Sequence, residues 1–288
     1  MHFLALPVMD LCRARLDRDH GRGRCGVTVL SLLIIGFLPP LVLAAASEGY
    51  PPASVWSLEA KLKGLFSSHT SYEFGNPVTP YQSPLSRLEF PINSVWGGLE
   101  GRGDFSLFSA GVEFLTSVAD QESGNFRDRD WNDNEVPQRL TNYGETDTRL
   151  LPSYQLRADI VMPVAALLRL PDRFDLSPVA GFRWQQLNLT PHDGTQFDYP
   201  SAGDPPEAIR LPGDAIRFQQ NWYQYFLGLK IGYDFGSLAG LSRLRLQSQL
   251  DWGYTYGENV DNHLLREAKR ITTDATTGDA WHASLAVV

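Results

Sequence analysis

Residues 222–263 read WYQYFLGLKIGYDFGSLAGLSRLRLQSQLDWGYTYGENVDNH, and the fold turns on how this stretch is read. In its first half Tyr223, Tyr225, Leu227, Leu229, Ile231, Tyr233 and Phe235 take every second position, with Gln224, Gly228, Lys230, Gly232 and Asp234 between them. After the turn-like Gly236-Ser237-Leu238-Ala239-Gly240 the pattern resumes. Leu244, Leu246, Leu250, Trp252, Tyr254 and Tyr256 alternate with Arg243, Arg245, Gln247, Gln249 and Asp251. Side chains of a strand point alternately to opposite faces, so this is a hairpin with one greasy and one charged surface. Its aromatics gather toward the strand ends, as they do at a membrane–water boundary.

The same alternation recurs on either side. Trp56, Leu58, Ala60 and Leu62 alternate with Ser57, Glu59, Lys61 and Lys63; Leu88, Phe90 and Ile92 alternate with Arg87 and Glu89. Phe108, Ala110, Val112 and Phe114 form a third apolar row, and Tyr154 to Val164 a fourth. A weaker strand follows near Val179 to Leu187, giving about eight strands in all. No helical periodicity of useful length interrupts them. A soluble lipocalin-like barrel turns its apolar face inward, and alternation alone cannot tell inside from outside. The strand length, the export signal described next and the absence of cysteine beyond it favour an antiparallel transmembrane β-barrel, apolar outside and polar within. Short turns near 101–103, 170–172 and 236–240 alternate with long polar loops near 74–85, 119–146, 191–214 and 259–273, which predicts that the long loops meet at one extracellular rim.

Of 288 residues, the first 46 read as a secretory leader. Arg13, Arg15, Arg18, Arg22 and Arg24 precede the apolar run Val27–Leu43, and Ala44-Ala45-Ala46-Ser47 supplies small residues for cleavage near Ala46. The rival reading, a membrane anchor, is opposed by Pro39-Pro40 and by that small-residue site. Residues 47–288 then form the barrel domain. Both cysteines, Cys12 and Cys25, fall in the leader, so the exported part has neither a disulfide nor a thiol nucleophile. It carries 20 basic against 30 acidic residues, a poor match for nucleic acid and a plausible attractor of cationic substrates.

Two acidic patches invite a chemical reading. Arg127-Asp128-Arg129-Asp130-Trp131-Asn132-Asp133 sets two carboxylates at i and i+2, on one side of an extended chain. Like charges this close resist joint ionisation, so the pair can hold a proton or a water. The bland reading, a solvated acidic loop, is favoured when the segment is taken alone. A calcium loop is a weaker alternative, because Asp133 stands where that motif needs glycine and Arg139 where it needs glutamate. Asp261 and His263 make the second patch, a carboxylate able to fix an imidazole in one tautomer. The other exported histidines, His69, His192 and His282, have no such neighbour by sequence. No serine-elbow, zinc-protease or cysteine motif accompanies them, and no cofactor or metal is expected.

An Asp-x-Asp-Trp in one outer loop and an Asp-x-His in a later one, on an exported barrel, resembles the omptin family of outer-membrane endopeptidases. Ser86-Arg87-Leu88-Glu89-Phe90, Asp147-Thr148-Arg149-Leu150, Ala180-Gly181-Phe182 and Lys269-Arg270-Ile271-Thr272 resemble further family segments in the same order. The resemblance implies a ten-stranded barrel in the bacterial outer membrane with its site facing outward. It implies that Asp128 and Asp130 hold the attacking water, that His263 takes its proton, and that Asp261 orients the ring. It also implies that Glu73 receives a basic side chain of a peptide or protein substrate.

Departures are visible too. Asn259 stands where the family has a second acid in the specificity pocket, with Glu258 as a conceivable substitute. The family's loop motif is missing around Thr141 to Glu145. Arg183-Trp184-Gln185-Gln186 replaces its glutamine-glutamate motif, and Asn221 replaces a lipopolysaccharide-binding arginine, which speaks against activation by lipopolysaccharide. Two of ten strands are missing at the end, which predicts a fragment of a longer reading frame. A non-catalytic barrel serving adhesion or scaffolding is the rival from another class. A small-solute channel is weaker, since Lys230, Arg243, Arg245 and Asp251 would plug the lumen.

Overall fold

The computed structural model describes residues 8–13, 25–32, 55–76, 82–118, 120–136, 138–200, 203–238, 241–266 and 270–287. Fifteen strands form one antiparallel sheet. β1 (Val8–Arg13) and β2 (Cys25–Leu32) precede eight long ribbons. The first ribbon is β3 (Val55–Leu65) with β4 (His69–Asn76), and the second is β5 (Gln82–Pro91) with β6 (Ser94–Asp104). β7 (Ser109–Ser117) with β8 (Gln121–Asp130) makes the third, and β9 (Asn142–Leu150) with β10 (Tyr154–Val161) the fourth. β11 (Phe174–Asp198) is the fifth; β12 (Glu207–Asp214) and β13 (Ile216–Leu238) share the sixth. β14 (Leu241–His263) and β15 (Ile271–Val287) complete the meander.

Each ribbon pairs with its neighbours in sequence, and the hairpin that opened the reading forms in the expected alternation, with Tyr225 opposite Tyr254 and Leu229 opposite Leu250. Between the eighth ribbon and the first stand β1 and β2. β1 pairs with β15 and with β2, and β2 pairs with β3 and β4. The place that sequence reading left to two further strands is thus taken by segments of the stretch read as a leader. The cleavage position near Ala46 lies outside the described residues.

The sheet is greasy on its outer side. Trp56, Leu58, Leu99, Val112, Phe114, Ile160, Tyr225, Leu227, Leu250, Trp252 and Trp281 are all exposed, each roughly 40–60 % or so of its surface. No helix among the described residues is long and apolar enough to cross a membrane, which has no bearing on strands. Inward, the lower lumen is a cavity of about 490 Å³ whose lining includes Lys61, Glu100, Arg102, Arg157, Asp159 and Arg245. Several of its charges are joined in a net: Lys61–Glu100 at 2.7 Å, Arg102–Asp159 and Arg157–Asp159 at 3.0 Å, and Arg245–Asp175 at 2.5 Å. The side chain of Arg243 is outside the described residues.

Above this net the lumen is not polar, which corrects the expectation of a polar interior throughout. Leu65, Tyr72, Phe90, Trp96, Leu115, Phe126, Leu187 and Phe218 form a buried core inside the barrel. Phe90 stacks on Phe218 at 4.1 Å and meets Phe126 at 4.6 Å. Periodicity could not show this, because an inward apolar residue and a lipid-facing one look alike in sequence.

The core sits at a belt of strand breaks, at 66–68, 92–93, 118, 120 and 151–153. Side chains heal the interrupted ladder there. Asn93 Oδ1 accepts from Ser68 N at 3.0 Å while its amide donates to Ser123 O at 2.8 Å, and Gln121 bonds both backbone groups of Val95. Ser153 Oγ accepts from Asn188 N in the same way. Gly124, with φ of 122°, carries the matching bulge in β8. An odd number of unpaired residues inverts the facing of everything beyond it. In β3 the inward residues are odd-numbered, ending at Leu65; in β4 they are Thr70 and Tyr72.

Candidate active site

Above the belt, β8 and β14 each end in acids. β8 is extended through Asp130, so Asp128 and Asp130 project from one face, as the i, i+2 spacing requires. Asp128 lies in register with the buried Leu88, and Asp130 with Ser86. On β14, Asp261 pairs with the buried Phe218 and His263 with Ile216, so both are inward as well.

The structure brings the two patches together. His263 Nε2 lies 3.1 Å from Asp261 Oδ2. Burial pushes the Asp128 carboxyl up to about 8, with the charges of Asp130 and Asp261 adding to the rise and Arg266 opposing it. Asp128 Oδ1 and Asp261 Oδ1 are buried and, among the described residues, accept no hydrogen bond. Buried carboxylate oxygens are normally satisfied, and leaving them bare costs free energy that a purely structural site would avoid. Gly144, in register with Asp128, leaves ordinary contact distance to its Cβ (3.5 Å from where a Cβ would stand), so the carboxylate is not pressed from that side. Arg266 was not singled out by sequence; an arginine three residues past a histidine in a polar loop carries no distinguishing mark.

Three expected site residues fare differently. Glu73 faces outward, where it pairs with Arg87; Arg87 reaches Glu89 at 3.8 Å, and Glu89 meets Arg129 at 3.0 Å. The belt of breaks is the physical reason: straight counting from Trp56 puts odd residues inside, and the extra residues between β3 and β4 turn Tyr72 inward instead. Glu258 is also on the outer face, exposed and bonded by the Tyr256 hydroxyl at 2.8 Å. Asn259 is inward and buried, and accepts from Gln220 Nε2 at 3.0 Å, while Gln220 Oε1 accepts from the Thr70 hydroxyl at 3.0 Å.

Two histidines passed over by sequence do have carboxylate neighbours. His192 lies 3.2 Å from Asp193 and 3.3 Å from Glu122. His282 lies 3.1 Å from Asp251, which also takes both Arg183 guanidinium nitrogens at 2.8 Å. Asp193 adjoins His192 in sequence and was readable; Asp251 and His282 meet only through the β14–β15 register. Asp133, the acid that spoiled the calcium motif, accepts from Glu135 N and Val136 N and from Arg139 Nε at 2.5 Å. These donors hold its carboxyl below the usual range.

An apolar-clad sheet with an apolar waist and a cluster of carboxylates and imidazole at one mouth defines a membrane β-barrel bearing polar groups at one end. The sequence profile of the Omptin family matches residues 85–284. The chain belongs to the omptin family, and with it to the outer-membrane β-barrels of a protease family. The crystal structure of the outer-membrane protease OmpT from Escherichia coli is similar, with a TM-score of 0.56 over 85 % of this chain and 98 % of that one at 13 % identity. The β domain of the Bordetella autotransporter BrkA covers 99 % of each chain at 9 % identity but with a TM-score of only 0.36. The translocator domain of the autotransporter NalP from Neisseria meningitidis covers 99 % of this chain and 86 % of its own, at 9 % identity and 0.34. No curated protein matches the chain by sequence.

Proposed function

We propose that this protein is an endopeptidase whose water is activated at the outer mouth of the barrel, and that it prefers peptides with basic residues. A water held between Asp128 and Asp130 would attack the scissile carbonyl. With His263 Nε2 turned to Asp261, the ring's other nitrogen keeps the lone pair and takes the proton from that water. Asp261 orients the imidazole and steadies its charge once protonated. No cofactor or lipopolysaccharide enters the scheme, and the site faces the extracellular side. The observation that carries the reading is the convergence of Asp128 and Asp261, 133 positions apart in sequence, with one bare buried oxygen on each among the described residues.

The test is cleavage of a fluorogenic Arg-Arg peptide by protein refolded in detergent micelles. Asp128→Ala and His263→Ala are each expected to lower kcat about 10²–10⁴-fold, the usual size of a lost acid–base contribution. Undiminished turnover by either variant removes the proposed roles. A wild-type protein that cleaves nothing leaves the non-catalytic scaffold as the reading.

A further inference from the structure

With Glu73 and Glu258 turned outward, the mouth lacks the acids that were expected to receive a basic side chain, and Asn259 is spent on Gln220. One inward carboxylate near the site remains unassigned. β15 pairs with β14 so that Thr272 lies opposite Asp261, Asp274 opposite Asn259 and Thr276 opposite Gly257. Directly opposed residues of an antiparallel pair point to the same face, with Cβ atoms about 4.5–5.5 Å apart. The face is fixed independently. A Cβ on Gly257 would meet both the inward Trp222 ring, at 2.4 Å, and Thr276 Cγ2, at 3.0 Å, and Thr276 is buried. Asp274, two residues from Thr276 and beside Asn259, therefore looks into the barrel one row below the Asp261–His263 pair.

Resting on the endopeptidase reading, we infer that Asp274 is the specificity-determining acid, receiving the basic side chain of the substrate beside the cleaved bond. Three features of its surroundings suit this. Among the described residues no cation offsets its charge, and half-burial alone pushes its carboxyl up. A guanidinium or ammonium arriving there would relieve that cost and form a charge-assisted hydrogen bond. Trp222, one row deeper and almost fully buried, offers an indole whose Nε1 makes no hydrogen bond among the described residues, and an aromatic face of this kind attracts a cation. The buried chain Thr70–Gln220–Asn259 fills the row beside Asp274 with neutral groups, so the selecting charge comes from β15 rather than β14. The sequence hid this because Asp274 follows a run similar to the family's and belongs to no motif.

The experiment compares two peptides differing only in arginine or the isosteric, uncharged citrulline beside the scissile bond. In wild type the arginine peptide is expected to have the higher kcat/KM. In Asp274→Asn that preference should fall by roughly ten- to a hundredfold, mainly through a raised KM for the arginine peptide. Asp274→Lys should move preference toward a glutamate peptide, and Glu73→Gln should leave the arginine preference intact. Wild-type activity with an unchanged ratio in Asp274→Asn, or a ratio lost in Glu73→Gln, overturns the assignment while leaving the peptidase standing. A wild type that cleaves neither peptide overturns the peptidase reading itself.

Discussion

The two ends of the lumen treat their charges in opposite ways. In the lower cavity each acid of the net has a basic neighbour: Glu100 with Lys61, Asp159 with Arg102 and Arg157, Asp175 with Arg245, Asp251 with Arg183. At the mouth Asp128, Asp130 and Asp261 crowd together, tempered among the described residues by Arg266 and the His263 ring. Paired charges hold an architecture still; crowded like charges raise the free energy of the folded state and persist where chemistry needs them. The difference supports the proposed reading of the mouth as the working end without reference to any motif.

The largest effect that could break this comparison lies below. Asp251→Ala strands Arg183 and His282 in a buried lumen, and is expected to destabilise the barrel by about 3–5 kcal/mol in denaturant titrations in micelles. Near-neutral stability would show that the lower net is ornamental. Asp128→Asn should do the reverse. The native Asp128 keeps its proton up to about 8, whereas the unfolded carboxyl loses it near 3.8, so the folded state alone is protonated between these values. Unfolding there releases a proton, and wild-type stability therefore falls as pH rises from 4 to 8 and then levels. The asparagine variant, with nothing to titrate, should match wild type at pH 4 and exceed it by a gap that widens to pH 8. Parallel curves would remove the claim of crowding.

Activity offers a finer measure. Turnover should drop as pH passes about 8, where Asp128 loses its proton and adds a negative charge beside the developing oxyanion. Arg266→Gln, which takes away the opposing charge, should move that limb upward by the smallest amount of the series. A limb that moves down would assign Arg266 some other role.

Much of this was legible in the amino-acid order. The alternation from Tyr223 to Tyr256 gave the hairpin and its two faces, because a lipid-facing ribbon repeats every second residue without exception between its ends. Asp128 with Asp130, and Asp261 with His263, were found because i, i+2 spacing within one unbroken strand guarantees a shared face. Glu73 was expected at the site from the resemblance alone; its outward face depends on an irregularity seven to five residues earlier, around Ser67 with its φ of 53°, which neither a motif nor periodicity records. The Asp251–His282 and Asn259–Asp274 neighbours depend on register between ribbons, which no single strand encodes. The Phe90–Phe218–Phe126 stack escaped for a third reason: an aromatic row reads the same whether it meets lipid or lumen.

That stack has a consequence for the site above it. Three rings and the aliphatic side chains around them form a packed apolar layer inside the tube, with the ion-paired cavity on one side and Asp128 on the other. On the endopeptidase reading proposed above, protons would reach Asp128 and His263 from the solution that bathes the mouth. The chemistry would then answer to the acidity on that side of the membrane rather than on the other.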